Sequence, residues 1–160
     1  MPQTIEGHFD AKGRRFAIVA ARWNSIFSEQ LIAGATDTLV RHGANETDIT
    51  LVRCPGSYEL PQVARRVAQK MNVDAIICLG VLIRGSTPHF DYIAAEAARG
   101  IGAAGIESGV PTAFGVITCD TLEQAIERSG SKAGNKGAEA ATAALEMVNL
   151  FDAIDESSNG

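Results

Sequence analysis

"DAIICLGVLI", residues 74–83, is the stretch on which the fold turns. After Asp74 it holds no polar side chain, so no alternation separates an inner face from an outer one. A strand that is apolar on both faces belongs inside a parallel sheet covered by helices on each side. Its surroundings agree with that. "RFAIVAA" (15–21), "DITLVRC" (48–54) and "TAFGVIT" (112–118) are further β-type runs. The segments between them carry apolar residues at helical spacing: 24–43, stopping at Gly43, then 58–71, with Pro61 tolerable only in the first turn, then about 88–106. "LEQAIERS" (122–129) and "AEAATAALEMVNLF" (138–151) add two closing helices. The order βαβαβαβαα predicts a three-layer αβα architecture around a four-stranded parallel sheet. Right-handed crossovers then bring the carboxyl ends of all strands to one edge.

The bulk numbers narrow the partners. One domain of 160 residues, read over 15–151, buries ~70% of the surface its unfolded chain exposes. An arm over 1–14 and a polar, frayed tail over 152–160 flank it. The net charge of −5 argues against nucleic acid, which wants a basic face. No apolar stretch approaches the ~18 residues of a membrane span, and residues 1–15 lack a signal peptide's apolar core. Cys54, Cys78 and Cys119 are odd in number and have no metal-ligand spacing. They read as packed thiols in the cytoplasm. Two helices, around 94–105 and 137–144, are rich in small residues. That favours packing against a neighbouring subunit over tight packing within one chain.

In an open parallel sheet, ligands sit beyond the carboxyl ends of the strands. There the first strand offers Trp23 and Asn24, and the second offers Ser57, Tyr58 and Glu59. The third strand exits through "RGSTPHFDY" (84–92). Thr87 before Pro88 fits an N-cap followed by proline at the first helical position. Gly85, Ser86 and Thr87 then lie at a helix N-terminus suited to a phosphate or carboxylate. His89 falls in the first turn, where the helix dipole favours the neutral, proton-accepting imidazole. A plain capping loop with a hydrogen-bonded histidine explains the same stretch equally well. Trp23 can stack on a planar ring or pack on its own helix. Glu59 can accept ring N–H groups or serve its helix start. Arg128, Lys132 and Lys136 surround a glycine-rich turn (127–137) that suits an anion, or that is only a solvated connection. No GxGxxG follows the first strand, and GxxxxGK[ST] is absent.

Taken together, "RWN", "PGSYELP", "GVLIRGSTPHFDYIAAEAARGI" and "PTAFGVITCDTLEQAIERSGSKAGNKG" resemble the lumazine synthase family over residues 5–150. The resemblance implies a flavodoxin-like fold and a cofactor-free, metal-free transferase of riboflavin biosynthesis. Its reaction joins 5-amino-6-ribitylaminopyrimidine-2,4-dione to 3,4-dihydroxy-2-butanone 4-phosphate. The product is 6,7-dimethyl-8-ribityllumazine, with phosphate and water released. By matched position, Trp23 stacks on the pyrimidine, where the family often has phenylalanine, with Asn24 beside it. Ser57 and Glu59 hold the ribityl chain next to Tyr58. Val81, Leu82 and Ile83 present backbone groups, Gly85, Ser86 and Thr87 cradle the phosphate, and His89 moves protons. Phe114, Arg128 and Lys136 reach the same pocket from an adjacent subunit of a pentamer, Arg128 on the phosphate. The uninterrupted "GSKAGNKG" connection resembles members that assemble sixty chains into an icosahedral shell, in which the arm pairs with a neighbour. Association with riboflavin synthase is a further implication. A non-catalytic flavin binder on this fold would not need His89, Arg128 and Lys136 together. An enzyme of another sugar phosphate would not need Trp23 and Glu59.

Overall fold

The computed structural model describes residues 1–132 and 134–159; Ala133 of the glycine-rich connection and Gly160 of the tail lie outside the described residues. Four strands, β1 (Phe16–Ala21), β2 (Ile49–Cys54), β3 (Ala75–Ile83) and β4 (Thr112–Cys119), form one parallel sheet in the order β2-β1-β3-β4. The stretch that opened the reading is the interior strand β3, hydrogen-bonded to β1 and β4. Side chains of β1 show why both faces had to be apolar. Phe16, Ile18 and Ala20 enter one core, and Ala17, Val19 and Ala21 enter the other. The first core is closed by α1 (Ser25–Arg41), α4 (Leu122–Arg128) and α5 (Lys136–Asn159), the second by α2 (Leu60–Lys70) and α3 (His89–Ser108). Each buried Ile or Leu contributes about 1.5–3 kcal/mol, so the two-sided strands hold the layers together. This is the three-layer αβα sheet that the element order predicts.

Three local details differ from expectation. Residues 1–14 are not wholly outside the domain: Ala11 is fully buried in the first core, and its N–H donates to the His42 carbonyl at 3.0 Å. Arg14 pairs with Asp152 at 2.6 Å and with Asn149 at 3.0 Å, fastening the arm to α5 of its own chain. Helix α5 runs on to Asn159, so 152–159 is helical rather than irregular. Ser129–Ser131 (β5) and Gly134–Asn135 (β6) pair antiparallel where a simple turn was read. Gly130 there sits at φ 125°, a conformation L side chains rarely adopt.

The small residues of α5 are largely spent inside the chain. Ala140, Ala141 and Ala144 are buried in the first core. Those of α3 divide: Ala97 and Ala104 are buried, whereas Ala95 and Ala98 face outward, as does the large Ile106 at 86% exposure. Cys54, Cys78 and Cys119 are unpaired and buried. Burial pushes the Cys54 thiol up to about 11 and that of Cys78 to about 12. Both are protonated at neutral pH, as packed thiols should be.

Candidate active site

The exits of β1, β2 and β3 converge with α3 around a cavity of about 710 Å³. Asn24 makes the first corner. It adopts the left-handed conformation (φ 60°, ψ 47°), which asparagine tolerates better than most residues. Its side-chain amide donates to the Val81 carbonyl at 2.8 Å and so ties the end of β1 to the end of β3. Trp23 beside it is 73% exposed and lines the cavity.

The second corner is the short turn Ser57–Glu59, closed by the Glu59 N–H on the Gly56 carbonyl at 3.2 Å. Ser57 is buried, Tyr58 is 60% exposed, and both line the cavity with Glu59. Ser57 fits only because β3 carries glycine opposite it. A Cβ on Gly80 would stand 2.6 Å from the Ser57 hydroxyl oxygen. Gly80→Ala should therefore cost about 1–3 kcal/mol of stability, as overpacking does, and push the 57–59 turn into the cavity. Denaturant unfolding and substrate affinity measured on one preparation check both effects.

The third wall is Val81, Leu82 and Ile83, and the fourth is α3. His89 opens that wall, followed by Tyr92, Ile93 and Glu96. Sequence reading stopped at His89 and missed the other three, together with Gly56. The missed signal was periodicity: 89, 92, 93 and 96 are spaced i, i+3, i+4, i+7 and share one helix face.

Helix α3 starts one residue later than expected. Its N-cap is Pro88 (φ −70°, ψ 0°), with no side-chain cap, so Thr87 does not cap it. Pro88 at ψ 0° is outside the helical region and takes the cap position itself, which leaves Thr87 in the loop. Gly85, Ser86 and Thr87 form an exposed link between two lining segments and do not themselves line the cavity.

Phe114, Arg128 and Lys136 lie elsewhere. They line a second concavity of about 370 Å³ along β4, at the end of α4 and the start of α5, together with Glu139. The two concavities share no lining residue. Their charges are opposed. Glu59 and Glu96 are the ionic side chains of the larger cavity besides His89, and no lysine or arginine lines it. The smaller one carries both cations. One chain thus holds a half with exposed aromatics, carboxylates and an imidazole, and separately a half that carries Arg128 and Lys136.

This division of labour is accompanied by direct similarity. The sequence profile of the 6,7-dimethyl-8-ribityllumazine synthase family matches residues 13–152. The chain belongs to that family. It is also 54% identical over 154 residues to a 6,7-dimethyl-8-ribityllumazine synthase of Desulfotalea psychrophila, covering 96% of this chain and 99% of that one. Lumazine synthase membership makes the chain a transferase of riboflavin biosynthesis. It also accounts for a site without a strong nucleophile. Positioned proton transfer and the holding of two substrates are what a condensation of this kind asks of its lumazine synthase.

Proposed function

We propose that this chain forms 6,7-dimethyl-8-ribityllumazine from 5-amino-6-ribitylaminopyrimidine-2,4-dione and 3,4-dihydroxy-2-butanone 4-phosphate, in cavities completed by a second copy of itself. The observation that carries this reading is the separation of His89 from Arg128 and Lys136 into concavities that share no residue. A phosphate ester needs a cation, and the cavity with the exposed aromatics and the imidazole has none. Docking the smaller concavity of one copy against the larger of another unites the complete set.

In that arrangement Trp23 stacks on the pyrimidine beside Asn24. Ser57, Tyr58 and Glu59 meet the ribityl chain, and the backbone of Val81, Leu82 and Ile83 reads the ring edge. Gly85, Ser86 and Thr87 from one copy and Arg128 from the next take the phosphate. Phe114 and Lys136 close the far side. His89 takes and returns the protons of imine formation, phosphate loss and ring closure. Closed repetition of one heterologous contact gives a ring. The outward small residues of α3 suit a neighbour in a pentamer, and twelve pentamers make the shell. No helix among the described residues is long and apolar enough to cross a membrane, and three unpaired thiols suit the reducing cytoplasm.

The test is a mixture of purified protein with the two substrates, followed by the absorbance of the lumazine product. Formation well above the spontaneous rate is expected. A rate equal to the protein-free control would refute the activity and leave a non-catalytic binder. Native mass measurement of the same sample reports whether five or sixty chains assemble.

A further inference from the structure

Arg84 opens the loop that leads to His89, and it is the cation nearest that loop in sequence, yet its geometry is unlike that of a phosphate ligand. Its backbone N–H donates to the Cys119 carbonyl at 2.8 Å, extending the β3–β4 pairing by one bond. Its Nε donates to Asp120 Oδ1 at 2.9 Å. Its Nη1 lies 3.1 and 3.2 Å from the two carboxylate oxygens of Asp91. The guanidinium carbon sits 4.5 Å from the ring centroid of Phe90. Two carboxylates already occupy this fork, and their charge repels a phosphate from the same group.

The segment that the fork spans is otherwise poorly held. Residues 84–89 are all exposed, and α3 begins without a side-chain cap. Among the described residues, Gly85, Ser86 and Thr87 make no hydrogen bond to the body of the chain. Asp91 follows His89 by two residues, and Asp120 belongs to the β4–α4 corner, where Thr121 caps α4. Arg84 therefore joins the start of the loop, the first turn of α3 and the neighbouring strand end.

We propose that Arg84 is a positioning residue for His89: by bridging Asp91 and Asp120 and stacking on Phe90, it holds the first turn of α3 so that the imidazole stays aimed into the cavity. The proposal rests on the catalytic reading of His89 given above, but its structural half can be tested without turnover.

The planar fork is what bridges two carboxylates, and an ammonium cannot reproduce it. Arg84→Lys keeps the charge and loses the bridge. Asp91→Asn and Asp120→Asn weaken it while preserving shape. Hydrogen exchange on the assembled protein should show residues 85–91 of Arg84→Lys exchanging ~10-fold faster, with the sheet unchanged. In the lumazine assay kcat should fall by about 10- to 100-fold with KM for the butanone phosphate nearly constant, the scale expected of a misplaced catalytic group. The same substitution placed on His89→Ala should cost nothing further, since no imidazole remains to be positioned. The two asparagine variants should lie between parent and Arg84→Lys.

Unchanged exchange over 85–91 would overturn the clamp even if the protein proved inactive. Three kinetic results would equally overturn the proposal: a rise in KM alone, which would make Arg84 a phosphate ligand; an equal loss in the His89→Ala background; or an unchanged kcat. An inactive parent with fast exchange in Arg84→Lys would keep the clamp and refute the catalytic reading instead.

Discussion

Replacing His89 with alanine is expected to slow lumazine formation by about 10²–10⁴-fold, the range that a positioned proton carrier supplies, while leaving assembly intact. The fold has little stake in this side chain. His89 is exposed, and its ring makes no hydrogen bond among the described residues. Substitutions at such surface positions usually change stability by less than about 0.5 kcal/mol. The lost rate is therefore attributable to chemistry. Residual activity should persist, because the cavity still holds two substrates in register, and proximity supplies much of the barrier reduction. A variant turning over as fast as the parent would remove the imidazole from the mechanism.

Arg128→Ala should act on a different constant. A hydrogen bond to a charged group is worth about 1.5–3 kcal/mol, which corresponds to a rise of about 10- to 150-fold in KM for the butanone phosphate. The affinity for the pyrimidine should hardly move. Arg128 also sits in the last turn of α4, where a cation favours the helix dipole by about 0.3–1 kcal/mol. That structural loss is the smaller of the two and is read separately by thermal unfolding. Arg128→Lys should recover part of the affinity, since it keeps the charge without the bidentate fork. An unaltered KM would exclude the guanidinium as the phosphate clamp.

What could be read from the sequence follows the physics of each element. β3 announced itself because burial on both faces removes every polar side chain, and this fixes its place inside a parallel sheet. Helices α1 and α2 were legible from spacing and from Gly43 and Pro61 at their ends. Helix boundaries were less so. Thr87 looks like a cap before a proline at the first helical position, but Pro88 itself sits at ψ 0° and the helix begins only at His89. The continuation of α5 into 152–159 was hidden by its polarity: an exposed helix end has no apolar stripe to betray it. In α5 small residues marked close packing correctly, but spacing alone does not say whether the partner is α1 or another chain.

The site was legible in parts. Strand exits identified Trp23, Asn24, Ser57, Tyr58 and Glu59, because topology alone brings those ends to one edge, and the family resemblance added Val81, Leu82 and Ile83. The face of α3 carrying Tyr92, Ile93 and Glu96 was available in the spacing and was passed over. That Phe114, Arg128 and Lys136 lie apart from the rest within one chain is implied by the family resemblance, which gives them to an adjacent subunit, and not by the local pattern of the residues themselves. It depends on β4 being the edge strand, a fact of topology that no local stretch encodes.

The account stands or falls on the joining of two copies at each site, and mixed assemblies test that directly. His89→Ala and Arg128→Ala chains, each impaired alone, are unfolded together, reassembled in equal amounts and assayed. If one copy supplies the imidazole and the next the guanidinium, random mixing leaves roughly a quarter of the sites with both groups intact. Activity should then recover to about that fraction of the parent. Recovery no greater than the mean of the two separate variants, in particles shown to contain both chains, would contradict a shared cavity.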